Sequence, residues 1–321
     1  MKHGLFSVKD ASAKIAEGKY FIVSGNVEAL QQLPAGNWIG GTTPNYYIAG
    51  YPRDFTNNEV FMDELPDCAS GIEIKSYTTT TIPNIFTDAP ENGFTVIVTP
   101  HGADVTDEYV LHAAKYDDFG IKPIIGWVSG AQKAREQTKP CYSVLGTSKE
   151  ISTNLAVVLH VSLPQNKFAE VNIRCGFKEQ PGTTVIFEED VTTMVDAIIN
   201  GKKQNVAEYL RQNGITIQYP LMADYSGVKT CATISSIAEN EVPLFGVVYA
   251  GIEYHFSELD TNHQEWNIPD DCALAYCCIY YASKPEPEML AQMTGAAVFG
   301  EIAYQLFAQS VAYLTIGDGV V

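Results

Sequence analysis

Residues 273–316 read ALAYCCIYYASKPEPEMLAQMTGAAVFGEIAYQLFAQSVAYLTI. The run opens with an apolar segment of strand length and ends on a glycine-framed strand and a last apolar segment. Between them lies a short helix: Pro287 suits its first turn, and Met289, Leu290 and Met293 form a buried stripe at helical spacing. The chemistry of the stretch is concentrated in Cys277, Cys278, Gly300 and Glu301.

Residues 20–50, YFIVSGNVEALQQLPAGNWIGGTTPNYYIAG, repeat this plan. With Gly36 set on Gly295, GNWIGGTT lies against GAAVFGEI, Gly41 on Gly300 and Thr42 on Glu301. Asn26 is placed to cap the first helix, with Val27, Leu30 and Leu33 toward the core. Gly36 and Gly295 stand where a helix C-terminus prefers positive φ. The expectation is internal pseudo-symmetry, two related halves each holding a strand, a helix and a glycine-bearing strand. Glycine inside a strand marks close approach, either of a ligand or of a neighbouring strand. Both accounts fit Gly40, Gly41 and Gly300.

GAAVFGEI below a cysteine-bearing strand resembles the C-terminal part of FIST domains, and GNWIGGTT is similar to the glycine strand of their N-terminal part. The resemblance implies a sensor of small ligands such as amino acids, acting in signal transduction. It implies an N-terminal-like half over residues 1–150 and a C-terminal-like half over 151–321. Carried onto this chain, it points to Gly40, Gly41, Thr42, Thr43, Cys277, Cys278, Gly300 and Glu301 as ligand-binding. One departure stands out: Cys277-Cys278-Ile279-Tyr280 lacks the arginine that often follows the cysteine, which weakens any inference to an anionic ligand.

The chain has 321 residues, 46% hydrophobic and 18% charged, enough for a large core and unlike a disordered chain. A net charge of −18 argues against nucleic acid and against an anionic membrane surface. No run approaches the ~20 apolar residues of a membrane helix, and the first residues lack a signal-peptide core. The seven cysteines form an odd set without a CxxC pair and are expected as reduced thiols. A cytoplasmic location follows as an expectation.

Along the chain, residues 1–19 read as a helical or irregular lead-in anchored by Ile15. PNYYIAGYPRDF and NNEVFMDEL suggest a hairpin about Asn57–Asn58, with Arg53 and Asp54 beside it. GFTVIVTPHG, the helix DEYVLHAAKYDDFG and PIIGWVSG make a βαβ unit, its helix capped by Thr106 or Asp104. His101 lies in the loop after the first strand, where open α/β sheets place ligands. NLAVVLHVSLP, KFAEVNIRCGF and TTVIFEED suggest an antiparallel meander in which His160 is a satisfied, partly buried side chain. VTTMVDAIIN and VAEYLRQN read as helices stopped by Gly201 and Gly214. Asn205 with Glu208 forms a capping box for the second. Further strands follow, turning at Ser226–Gly227 and Glu239–Asn240.

These elements predict an α+β fold of layered mixed sheets with helices. Neither GxGxxG nor GxxxxGK[ST] follows a strand, and His255 with Glu253 or His263 with Glu265 makes no complete metal set. No cofactor, metal or catalytic residue is therefore assigned. Glu301 either binds a ligand amine or caps backbone donors. The leading function is small-molecule sensing, with a signalling protein as partner. The alternative is a cysteine-dependent hydrolase using Cys277 or Cys278, for which His101, His255 and His263 are the candidate bases.

Overall fold

The computed structural model describes residues 3–43, 45–48, 51–54, 56–130, 133–134, 137–138, 140–175, 177–225, 228–259, 272–277, 297–299 and 310–319. They form mixed β-sheets with a few short helices, an α+β fold. The chain divides into two compact units: Met1–Asn172 with Asn267–Tyr304 and Ala312–Val321, and Ile173–Trp266 with Gln305–Val311. This is a division by packing; the halves 1–150 and 151–321 expected from the sequence rest on the repeat reading instead.

In the first unit, the N-terminal sheet runs His3–Ser7, Glu59–Glu64, Phe21–Gly25, Trp38–Thr42, Ser143–Leu145 and Glu150–Ser152. Phe21–Gly25 and Trp38–Thr42 are parallel, as a strand–helix–strand unit requires, and their neighbours are antiparallel. Ser7 caps the helix Val8–Ala16 by accepting from the Asp10 N–H, and Asn26 caps Val27–Gln32 by accepting from the Ala29 N–H. These helices lay Ala11, Ile15, Ala29, Leu30 and Leu33 on one face of the sheet, against Phe21, Val23, Trp38, Val60 and Met62.

A second sheet orders Gly71–Tyr77, Ala156–Ser162, Gly93–Pro100 and Ile124–Ser129. The last two are parallel and flank the helix Asp104–His112, the βαβ unit read from the sequence. Val105, Tyr109 and Ala113 cover one face of this sheet, packing on Ile97, Val128 and Val158. Its other face meets the N-terminal sheet: a Cβ on Gly41 would come 2.5 Å from Val98 Cγ1 and 3.2 Å from Ser129 Cβ. The layers therefore run helix, sheet, sheet, helix.

A third sheet holds Lys167–Cys175, Ser310–Asp318, Leu274–Cys277, Ala297–Phe299, Asn45–Ile48 and Tyr51–Asp54. Leu274–Cys277 and Ala297–Phe299 are parallel, the same pairing as Phe21–Gly25 with Trp38–Thr42. Trp38 and Ala297 each begin a strand two residues after the aligned glycines. The helix expected near Met289 lies outside the described residues. In the second unit a larger antiparallel sheet is built about Leu221–Tyr225, Val228–Ile234, Val242–Val248 and Glu253–Leu259. Val206, Ala207 and Leu210 of the helix Val206–Gln212 join its core.

Several local expectations are corrected. Residues 190–200 are strands, not a helix: Asp196–Ile199 pairs with Lys202–Asn205 across Asn200 (φ 50°) and Gly201 (φ 76°). Asn-Gly is a strong signal for a two-residue hairpin turn, and the β-branched residues before it favour strand. Asn45–Ile48 and Tyr51–Asp54 form their own hairpin, and Glu59–Glu64 joins a different sheet, so no hairpin forms about Asn57–Asn58. The expected meander is likewise split: its strands Ala156–Ser162, Lys167–Cys175 and Val185–Ile186 enter three separate sheets. The Asp104–His112 helix has no side-chain cap at Ala103; Asn154 Oδ1 accepts from the Val105 N–H instead. The first-repeat helix ends at Gln32, and Gly36 is absent from the positive-φ glycines. Gly36 is small because a Cβ there would lie 2.3 Å from Ile15 Cγ2.

Candidate functional site

Where the N-terminal sheet and the second sheet of the first unit face each other, the apolar core is interrupted. Register places Ser24 opposite Gly41 on one side and Phe61 on the other, and Asp63 opposite Ile22. The period of two puts Ser24 and Asp63 on the sheet face away from the helices. From the facing sheet come Trp127 and Ser129, two residues apart on one strand. From Leu274–Cys277 comes Tyr276, whose ring centroid lies 5.3 Å from that of Trp127, with the planes tilted by 38°.

All five residues are buried, from 0% exposed for Trp127, Ser129 and Tyr276 to 3% for Asp63. Ser24 Oγ, Trp127 Nε1, Ser129 Oγ and Tyr276 OH have no hydrogen-bond partner among the described residues. Burial pushes the Asp63 carboxyl up from 3.8 to about 8. It also raises the Tyr276 phenol well above its ordinary value, with the Asp63 charge as the second cause. Buried polar groups are nearly always paired, because an unpaired one forfeits its hydration. Four unpaired groups from three strands, with the Asp63 carboxyl raised by burial and acting on Tyr276, make a polar seam in the core.

A second buried polar group in the same unit is closed. Asp88 Oδ2 accepts from Tyr77 OH at 2.9 Å, so the Tyr77 oxygen in turn accepts a hydrogen bond from His160 Nε2–H at 2.8 Å. His160 Nδ1 then accepts from Thr95 Oγ1 at 2.9 Å. A carboxylate that only accepts fixes every donor along this chain. Burial first, and the Lys75 charge second, lower the His160 pKa to about 4. His160 is thus the satisfied side chain expected from the sequence.

The sequence-predicted residues distribute unevenly about the seam. Gly41 faces it, whereas Gly40, in register with Val23, lies on the helix face of the sheet; packing accounts for both, since a Cβ on Gly40 would meet the Val23 carbonyl oxygen at 2.2 Å and one on Gly41 would meet Val98. Thr42 is fixed at the rim, its Oγ1 accepting from the Tyr142 N–H at 2.9 Å and its carbonyl from Gly130 N–H at 2.9 Å. Thr43 N–H donates to the Gly25 carbonyl at 3.1 Å. His101 is exposed on the turn after Gly93–Pro100, where its N–H donates to the Ser129 carbonyl. Cys277 follows Tyr276, with its backbone in register with Phe299. Cys278, Gly300 and Glu301 lie outside the described residues. Ser24, Asp63, Trp127, Ser129 and Tyr276 were not singled out in the sequence; their signal is a polar or bulky residue inside fully buried runs such as FIVSG and IIGWVS.

No group of three or more metal-ligating side chains forms among the described residues, and no helix there is long and apolar enough to cross a membrane. The model of a family described as a family of unknown function, DUF6976, matches residues 6–317, and the chain belongs to that family. No curated protein matches the chain.

Proposed function

We propose that this DUF6976 protein binds a small molecule in the polar seam of its first unit and acts as a ligand-responsive sensor. The observation that carries the reading is the set of buried, unpartnered polar atoms of Ser24, Trp127, Ser129 and Tyr276 around Asp63. A core gains nothing by burying such atoms unpaired, whereas a binding site places a few polar groups in apolar walls. The resemblance of GNWIGGTT and GAAVFGEI to FIST ligand sensors supports the same reading. Signalling would then pass through a protein partner. A cytoplasmic setting accords with Cys68, Cys141, Cys231 and Cys272 being thiols rather than disulfides.

Native mass spectrometry of the purified chain tests the proposal. A non-covalent adduct that is released on unfolding, and is weakened in Trp127→Phe and in Ser24→Ala with Ser129→Ala, supports it. A bare protein mass, with no thermal shift from a metabolite extract, sets it aside.

A further inference from the structure

We infer that the molecule held between Ser24, Asp63, Trp127, Ser129 and Tyr276 is uncharged and rich in oxygen acceptors, of the amide or polyol class. The inference rests on the reading of the seam as a binding site. An acid beside two aromatic rings is also the makings of an ammonium site, so the donors decide. The Trp127 indole N–H can only donate, and the hydroxyls of Tyr276, Ser24 and Ser129 each have a proton to give. A bound ammonium offers donors alone and leaves the indole N–H unpaired in the core. A ligand with carbonyl or hydroxyl oxygens satisfies it.

Anions fit no better. The strands His3–Ser7, Phe21–Gly25, Trp38–Thr42, Glu59–Glu64, Ile124–Ser129 and Leu274–Cys277 contain no lysine or arginine. The titratable groups placed toward Asp63 by the described residues are His3, opposite it in register and stacked on Phe61, and Tyr276. Burial raises the Asp63 carboxyl to about 8, so near neutrality it is mostly protonated and can serve as a further donor. An anionic ligand would be desolvated with no lysine or arginine on these strands to meet it.

The test uses the full chain and a metabolite extract split by cation and anion exchangers into cationic, anionic and uncharged pools. The uncharged pool is expected to raise the melting temperature of the wild type at pH 7 by several degrees. Asp63→Asn, which keeps a donor and cannot ionise, is expected to retain that shift. Between pH 7 and pH 9 the shift should fade in the wild type and persist in Asp63→Asn. A shift from the cationic pool, growing toward pH 8 and lost in Asp63→Asn, overturns the ligand class while leaving the site standing. No shift from any pool overturns the site as well.

Discussion

The rings of Trp127 and Tyr276 sit 5.3 Å apart in the core, tilted by 38°, with the indole N–H and the phenol hydroxyl both unpartnered among the described residues. They tie the second strand of a βαβ unit to a strand some 150 residues later in the chain. Trp127→Phe keeps an aromatic ring and removes one unpaired donor. In the ligand-free protein it should change stability by no more than about 1 kcal/mol, because the lost hydrogen-bonding group had no partner. Trp127→Ala removes the ring itself and should cost about 3–5 kcal/mol. Urea denaturation of both variants, with bound small molecules removed, separates the two effects.

Asp63→Asn should stabilise the free protein at neutral pH and above. The folded carboxyl titrates near 8 and the unfolded one near 3.8, so the folded state holds the extra proton between these values. Stability from this group is full below pH 3.8 and falls as pH rises toward 8, by about 1.4 kcal/mol per pH unit at most. The variant lacks that fall. Denaturation midpoints at pH 5, 7 and 8.5 should diverge progressively in favour of Asp63→Asn.

His160 acts in the opposite sense. Its folded pKa near 4 lies below the ordinary 6.5, so the unfolded chain holds the extra proton between them. Its contribution is full above pH 6.5 and is lost as pH falls toward 4, again by about 1.4 kcal/mol per unit at most. From pH 6.5 to 4 the two groups oppose each other in the wild type. In Asp63→Asn the histidine is uncovered, and stability should drop steeply across that window. His160→Gln should be less stable than wild type at pH 7, through the broken Thr95 and Tyr77 hydrogen bonds, and should lose the acid slope.

Gly41→Ala tests the sheet-to-sheet contact. Its methyl would lie 2.5 Å from Val98 Cγ1 and 3.1 Å from the Tyr142 carbonyl oxygen. Overpacking of this kind costs about 1–3 kcal/mol. Adding Val98→Ala should recover part of the loss, since the valine methyl is the nearest of three obstacles, with the Tyr142 carbonyl oxygen and Ser129 Cβ behind it. The double-mutant cycle reads the coupling directly.

What the sequence disclosed was local. The Phe21–Gly25 unit is readable because an Asn cap, a short apolar helix and two buried runs lie close together in sequence, and the Gly93–Pro100 unit because two buried runs flank a helix. Partners far apart in sequence are not. Nothing in VFMDEL says that its strand inserts between His3–Ser7 and Phe21–Gly25, so Asp63 reads as a surface acid until that pairing buries it. Gly40 and Gly41 were noticed as glycines, yet what they accommodate, Val23 and Val98, appears only in three dimensions.

The Asn200–Gly201 signal is ambiguous in sequence, because a glycine that turns a hairpin also ends helices. Both residues have positive φ, so Gly201→Ala should cost about 1–2 kcal/mol. Calorimetric melting of this variant reads the cost. A glycine closing a helix would show a similar cost, so cross-strand NOEs between Asp196–Ile199 and Lys202–Asn205, expected for the hairpin and absent from a helix, decide between the two.

The most direct measurement is a crystal structure of the protein purified without denaturation, read for density within hydrogen-bonding reach of Trp127 Nε1 and Tyr276 OH. A non-protein molecule there, with oxygen atoms toward the indole N–H and the Asp63 carboxyl, is the predicted result. If side chains of this same chain are found to fill the seam and to take up both donors, no small molecule has room to bind, and the account is contradicted.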